Sequence, residues 1–119
     1  MNSPEPAAQE LLATLYAAFN ERDFPTLLAA MTQDVSWPNG WEGGVVHGRD
    51  QVISYWRRQW AEIDPTVVPI AFAAEPDGRI AVTVRQVVHD KSGAPLADHT
   101  VTHVYRLNDG LVAEMEIRE

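Results

Sequence analysis

Four ionisable side chains near the end of the chain have the types and spacing that acid–base chemistry needs. His99 and His103 fall in the segment HTVTHVYRL, where apolar and polar residues alternate, so both are predicted on the inner face of a β-strand. Glu114 and Glu116 follow a turn and share one face of the next strand. A carboxylate beside an imidazole raises the imidazole pKa and makes it a stronger base. A contact between His103 and Glu116 would therefore make a proton-transfer pair.

The turn between these strands decides which residue lies opposite His103. A two-residue turn at Asp109-Gly110, which this dipeptide favours, pairs His103 with Glu116. It also turns an apolar row to the outside: Leu111, Ala113, Met115 and Ile117. A three-residue turn pairs His103 with Met115 instead, buries the row and leaves the glutamates in water. Turn chemistry favours the first arrangement and apolar burial favours the second. Even in the first, a His–Glu contact that only satisfies two buried polar groups is an alternative to catalysis.

Several other side chains are predicted to shape a pocket around this pair. Trp37 and Trp41 flank a Pro-Asn-Gly loop, and Gln86 interrupts a row of valines. The predicted substrate-binding residues are Trp37, Trp41, Tyr16, Tyr55, Gln86, His99, Tyr105 and Glu114, and the predicted catalytic residues are His103 and Glu116. His99 and His103 would lie roughly 13 Å apart on one strand, too far to share a metal ion. We therefore predict neither a metal site nor a cofactor.

Hydrophobic periodicity predicts helices first and strands afterwards. Leu11, Leu15 and Phe19 recur at helical spacing, Asp23 can cap a short second helix, and a third begins near residues 48–50. A short strand at 34–37 and a brief one at 45–47 lie between them. After Asp64-Pro65 the period falls to two, with alternation in 68–74, 80–88, 97–107 and 111–118. This order predicts helices on one face of a curved antiparallel or mixed sheet, an α+β fold.

Composition narrows the functional classes. The chain has 119 residues, 45% of them hydrophobic, which predicts a single domain spanning 1–119. A net charge of −8 makes nucleic acid an unfavourable partner. There is no cysteine, no apolar run that could span a bilayer and no signal-peptide pattern at the start. We therefore predict a cytoplasmic protein that does not bind membranes.

Three stretches in this order resemble the SnoaL-like group of the nuclear-transport-factor-2-like superfamily. They are LYAAFNERDFPTLLAAMTQDVSW, HGRDQVISYW and VYRLNDGLVAEMEIRE. The resemblance implies a cone-shaped, cystatin-like roll with three helices on the concave face of the sheet. It also implies a pocket for a small hydrophobic molecule in the mouth of the cone, and a homodimer formed through the outer sheet face. The outward apolar row of the first hairpin arrangement would suit such a dimer.

The same resemblance leaves the activity open, because this fold hosts isomerases, polyketide cyclases, epoxide hydrolases, dehydratases and non-catalytic proteins. Ketosteroid isomerases carry an aspartate after the first strand, where this chain reads VSWPN. The Asp–Arg–Asp arrangement of the epoxide hydrolases is not found either, since Arg85 has no inward aspartate partner. We predict a cofactor-independent isomerase, cyclase or lyase for an apolar or aromatic substrate, in which His103 moves a proton and Glu116 orients it. The alternatives are a binding protein for a small hydrophobic metabolite and a dimeric interaction module with a filled pocket.

Overall fold

Three helices pack on the concave face of a curved six-stranded sheet, as predicted. The structure is a computed structural model and describes residues 3–40 and 43–118. The helices are α1 (Pro6–Glu21), α2 (Phe24–Ala29) and α3 (Arg49–Glu62). The strands are β1 (Met31–Pro38), β2 (Val45–His47), β3 (Ile63–Ala74), β4 (Ile80–Asp90), β5 (Pro95–Asn108) and β6 (Leu111–Arg118).

Helix α1 places its apolar stripe against the sheet. Leu12, Leu15 and Tyr16 are buried, at the spacing that brings residues onto one helical face. The helix ends at Glu21, and the next residue, Arg22, has a left-handed backbone (φ 59°) that stops further helical hydrogen bonds. Asp23 then caps α2, since its carboxylate accepts hydrogen bonds from the Thr26 amide (3.4 Å) and hydroxyl (2.7 Å). The predicted cap at Asp23 is confirmed.

The strand order is β2-β1-β6-β5-β4-β3. Strands β1 and β6 pair in parallel and the other neighbours pair antiparallel, so the sheet is mixed. Strand β1 starts at Met31, three residues before the predicted start, because the β6 ladder begins there with the pair Met31 and Val112. This order places β5 and β6 in the middle of the sheet, while α1 packs nearest to β3, and α3 packs nearest to β1, β2 and β3.

The β5–β6 hairpin combines features of both arrangements that the sequence allowed. Asp109 (φ 52°) and Gly110 (φ 77°) form the two-residue turn, and Asn108 pairs with Leu111 as that turn requires. A β-bulge at residue 113 then shifts the register by one residue, so Ile117 lies opposite His103. The predicted two-residue turn is confirmed. Both predicted partners of His103, Glu116 and Met115, are wrong because neither arrangement contained the bulge.

The outer face of β6 is charged, and this overturns the predicted apolar row. Met115 and Ala113 are buried, and Met115 and Ile117 point to the concave side. The outward residues form ion pairs instead: Arg106–Glu114 (3.7 Å), Arg79–Glu116 (2.8 Å) and Arg118–Glu75 (2.8 Å). The bulge accounts for the difference, since one extra residue exchanges the two faces of the strand beyond it.

Candidate active site

A cavity of about 280 Å³ opens between the helices and the sheet, at the place predicted for the pocket. Its described walls are mainly aromatic and aliphatic, and no Asp, Glu, Lys or Arg of residues 3–40 and 43–118 lines it. The described lining residues are Leu15, Tyr16, Phe19, Trp37, Pro38, Gly40, Tyr55, Trp56, Gln59, Ile63, Val67, Gln86, Val88, His99, Val101, His103, Tyr105, Met115 and Ile117. Such a wall favours apolar ligands with a few polar groups.

A chain of three hydrogen-bonded side chains borders the cavity. His103 and Tyr105 are two residues apart on β5, so both point to its inner face, and Tyr16 contacts them from α1. The Tyr105 hydroxyl donates to the Tyr16 hydroxyl (2.7 Å), and the Tyr16 hydroxyl oxygen lies 2.9 Å from His103 Nδ1. The Tyr16 and His103 rings stack at 5.9 Å and 14°, which holds the imidazole plane in place. These contacts fix His103 without any carboxylate.

Burial makes all three groups of this chain neutral near pH 7. The loss of hydration lowers the pKa of His103 from 6.5 to about 4. Burial also raises the pKa of Tyr16 and the pKa of Tyr105 well above their usual value of 10. The sequence predicted that a glutamate would raise the pKa of His103. That prediction is wrong in direction, because desolvation is the cause that acts and no glutamate lies beside the ring.

The hydrogen-bond chain also determines which imidazole nitrogen carries the proton. Tyr16 has one O–H, and its oxygen already accepts from Tyr105. If that O–H points to His103 Nδ1, every hydroxyl proton of the chain has a partner and the imidazole proton lies on Nε2. The reverse tautomer leaves the Tyr16 proton without a partner among the described residues, whereas Nε2 is free of a protein partner in both tautomers. An unpaired buried polar group costs about 1–3 kcal/mol, so the first tautomer is favoured. His103 then offers an N–H donor to a ligand.

The two predicted glutamates lie on the other side of the sheet. Glu114 and Glu116 face outward, where they pair with Arg106 and Arg79. The predicted orientation of His103 by Glu116 is therefore wrong, and so is the predicted contact of Glu114 with the pocket. Tyr16 occupies the place beside His103 that the sequence assigned to a carboxylate.

The structure brings most of the other predicted pocket residues together. The cavity is lined by Tyr16, Trp37, Tyr55, Gln86, His99, His103 and Tyr105. Trp37 packs edge-on against Trp56 at 5.1 Å and lies 6.1 Å from Tyr105. His99 is exposed where it meets the cavity. The prediction for Trp41 falls outside the described residues.

The sequence reasoning missed Gln59. This glutamine lies on α3, is 8% exposed and lines the cavity. Its position was available from the sequence, because it follows Tyr55 by four residues and Trp56 by three, which places all three on one helical face. Among residues 3–40 and 43–118, no cluster of three or more His, Cys, Asp or Glu side chains is arranged to hold a metal ion.

Comparison with known proteins places this architecture in a family. The family model described as a SnoaL-like domain matches residues 12–115. The chain belongs to the SnoaL-like family. No curated protein sequence matches this SnoaL-like chain significantly. Within the ranges that the structure describes, no helix has both the length and the apolar character needed to cross a membrane.

Solved structures share the fold of this SnoaL-like protein over almost its whole length. An NTF2-like protein of unknown function from Burkholderia pseudomallei is 28% identical, with 96% of this chain and 91% of that chain covered at a TM-score of 0.82. TerC, co-crystallised with polyporic acid, is 24% identical, with 93% and 89% covered at a TM-score of 0.80. A Mycobacterium tuberculosis protein in complex with estradiol-17β-hemisuccinate is 19% identical, with 98% and 93% covered at a TM-score of 0.80.

Proposed function

We propose that this SnoaL-like protein binds a small apolar or aromatic carbonyl compound in its cavity and acts on it as a cofactor-independent isomerase, cyclase or lyase. The observation that carries the proposal is the meeting of an apolar cavity with one hydrogen-bonded chain, Tyr105–Tyr16–His103, at its wall. Two proteins of the same fold hold ring compounds, polyporic acid and an estradiol ester, which supports a ring-shaped ligand here.

The proposed role of His103 follows from its neutral state. Isomerisation, aldol cyclisation and elimination beside a carbonyl all build negative charge on the carbonyl oxygen. An N–H donor on His103 Nε2 would stabilise that charge in the apolar cavity, and the proton removed from the carbon beside the carbonyl would pass to a solvent water at the open mouth of the cavity. Tyr105 donates to Tyr16 and Tyr16 donates to His103 Nδ1, so both hydroxyl groups polarise the imidazole ring further. His103 thus acts as a hydrogen-bonding acid rather than as the strong base that the sequence indicated.

The test is deuterium exchange into one-, two- and three-ring ketones in D₂O, followed by NMR. Exchange beside the carbonyl reports enolate formation without knowledge of the natural product. We expect accelerated exchange for at least one ketone, and a loss of about 100-fold in His103→Leu, which has no donor, because one donor to a developing oxyanion is worth that much. Glu116→Gln is the matched control and should keep the wild-type rate, since Glu116 lies on the outer face. Equal rates in wild type and His103→Leu would remove His103 from catalysis.

Binding without turnover is the second candidate function. A pKa of about 4 makes His103 a weak base, and no carboxylate of the described residues lines the cavity. A ketone that raises the melting temperature but exchanges no faster than in buffer would favour this candidate. The third reading of the sequence, a pocket filled by its own side chains, has less support because an open cavity is present.

We also propose that the protein forms a homodimer through the outer sheet face, as the family resemblance implies. The support no longer comes from β6, whose outward side chains are charged. It comes from Val68 on β3 and Leu96 on β5, which are 47% and 56% exposed. Val68 lies on the outward row of β3, and Leu96 is the extra residue at a bulge in β5, so a second chain on the outer face would cover both exposed side chains. The cytoplasm stays the location that the sequence predicts.

A further inference from the structure

Two glutamine side chains line the cavity away from the Tyr105–Tyr16–His103 chain. Gln59 lies on α3 and Gln86 on β4. Neither amide has a hydrogen-bond partner in the described part of the chain. Within residues 3–40 and 43–118, the one buried side-chain polar atom that is both inaccessible and unpartnered is Trp60 Nε1. The amide of Gln59 is therefore accessible from the cavity even though the residue is only 8% exposed.

The strand register places Gln86 at a distance from His103, and Gln59 lies one helical turn before Ile63, the first residue of β3, which is the strand that pairs with β4 beside Gln86. His103 pairs with Val82 on β4, and Gln86 lies four residues further along that strand, opposite His99. Four residues of strand correspond to roughly 13 Å between Cα atoms. Between the two positions, Val84 pairs with Val101, so the sheet wall is apolar there. The cavity therefore has two polar ends separated by an apolar middle.

The volume of the cavity indicates the size of its ligand. A buried apolar cavity of about 150 Å³ accommodates benzene. The cavity of about 280 Å³ is nearly twice as large, which suits two rings rather than one or four. A single ring would also be too short to reach both polar ends.

The polar ends define the chemistry of the ligand. The described lining has no Asp, Glu, Lys or Arg, His103 is neutral and His99 is exposed to solvent, so a ligand charge in the buried part of the cavity would be left without a buried counter-ion. The amides of Gln59 and Gln86 each offer a donor and an acceptor. They match a hydroxyl or carboxamide group, which also donates and accepts, better than they match a carboxylate.

We propose that the cavity selects a neutral two-ring compound with a carbonyl oxygen at one end, held by His103, and a hydroxyl or carboxamide group at the other, held by Gln59 and Gln86. This inference rests on the proposed function, because it names the ligand class of the same cavity. Gln59 and Gln86 are then specificity-determining residues, and they take no part in the chemistry at the carbonyl.

The test compares three probes by isothermal titration calorimetry at pH 6.5. They are 1-tetralone, which has only the ketone, 6-hydroxy-1-tetralone, which adds a hydroxyl at the far end, and 1-tetralone-6-carboxylic acid, which adds a charge there. We expect the hydroxyl to lower the dissociation constant about tenfold relative to 1-tetralone, and the carboxylate to raise it. The gain from the hydroxyl should disappear in Gln59→Leu and in Gln86→Leu.

Gln51→Leu is the matched control, because Gln51 lies on the exposed side of the same helix α3 and should leave all three affinities unchanged. Two positions are tested so that poor folding of one variant does not block the result. Binding of 1-tetralone with no gain from the hydroxyl, or a gain that persists in both leucine variants, would overturn the inference and leave the proposed function standing. Failure of the two neutral probes to bind the wild type would overturn this inference together with the cavity proposal on which it rests.

Discussion

At the scale of single residues, the properties of the site follow from the loss of hydration of the His103 ring on folding. The ring is 6% exposed and exchanges water for one hydrogen bond to Tyr16 and contacts with two tyrosine rings. Desolvation of the imidazolium then outweighs any gain from that bond, which is why the pKa falls to about 4. A neutral, oriented imidazole is the result.

This shift predicts how stability depends on pH. The unfolded chain binds a proton on His103 below about pH 6.5, whereas the native protein resists it until about pH 4. Stability is therefore fully present above pH 6.5 and falls by about 3 kcal/mol as the pH drops from 6.5 to 4. Urea unfolding at several pH values should show this loss in the wild type and a smaller one in His103→Gln. The exposed His47→Gln is the control, and an unchanged pH profile in His103→Gln would contradict the prediction.

Sequence patterns predicted the individual residues of this site but not their connections. Alternation in β5 indicated that His103 and Tyr105 share the inner face, and a helical stripe indicated Tyr16. The bond between Tyr16 and His103 joins residues that are 87 positions apart in the chain. Its geometry depends on how α1 lies across β5, which no local pattern encodes. Sequence patterns therefore indicated the nearby glutamates as partners of His103 and not the distant Tyr16.

At the scale of elements, the β5–β6 hairpin shows which features the sequence determines. The Asp-Gly dipeptide specifies the two-residue turn, because both of its residues adopt positive φ. The bulge at residue 113 has no such local signal. Strand β6 must pair with β5 on one side and β1 on the other, and the β1 ladder is also irregular between Met31 and Ser36. The demands of two neighbours therefore set the register at His103.

The turn itself gives a prediction about stability. Gly110 has φ 77°, and a Cβ atom placed on it would meet nothing within 4 Å. Gly110→Ala should therefore destabilise the protein through the backbone alone, by about 1 kcal/mol. Gly40→Ala is the matched control, since Gly40 lacks a positive φ and its Cβ would make an ordinary contact with Ile117 at 3.6 Å. Equal unfolding free energies for the two variants in urea would contradict this account.

At the scale of the whole molecule, the two faces of the sheet differ in polarity. The concave face holds the cavity and the neutral hydrogen-bond chain, and its described lining has no carboxylate. The convex face holds ion pairs such as Arg85–Asp98 (2.6 Å), exposed to solvent and worth little individually. The net charge of −8 is thus kept away from the site, so the protein can be acidic and still bind a neutral ligand.

This division also makes the dimer proposal testable. A second chain covering Val68 and Leu96 would remove apolar surface from water on the outer face, and a charge placed there would oppose association. Light scattering should give twice the 13.3 kDa chain mass for the wild type and 13.3 kDa for Val68→Glu. Val45→Glu is the matched control, because Val45 is similarly exposed (59%) but lies on the opposite edge strand, β2, and should stay dimeric. A wild-type protein that is monomeric at micromolar concentration would refute the dimer, and the cavity proposal would stand without it.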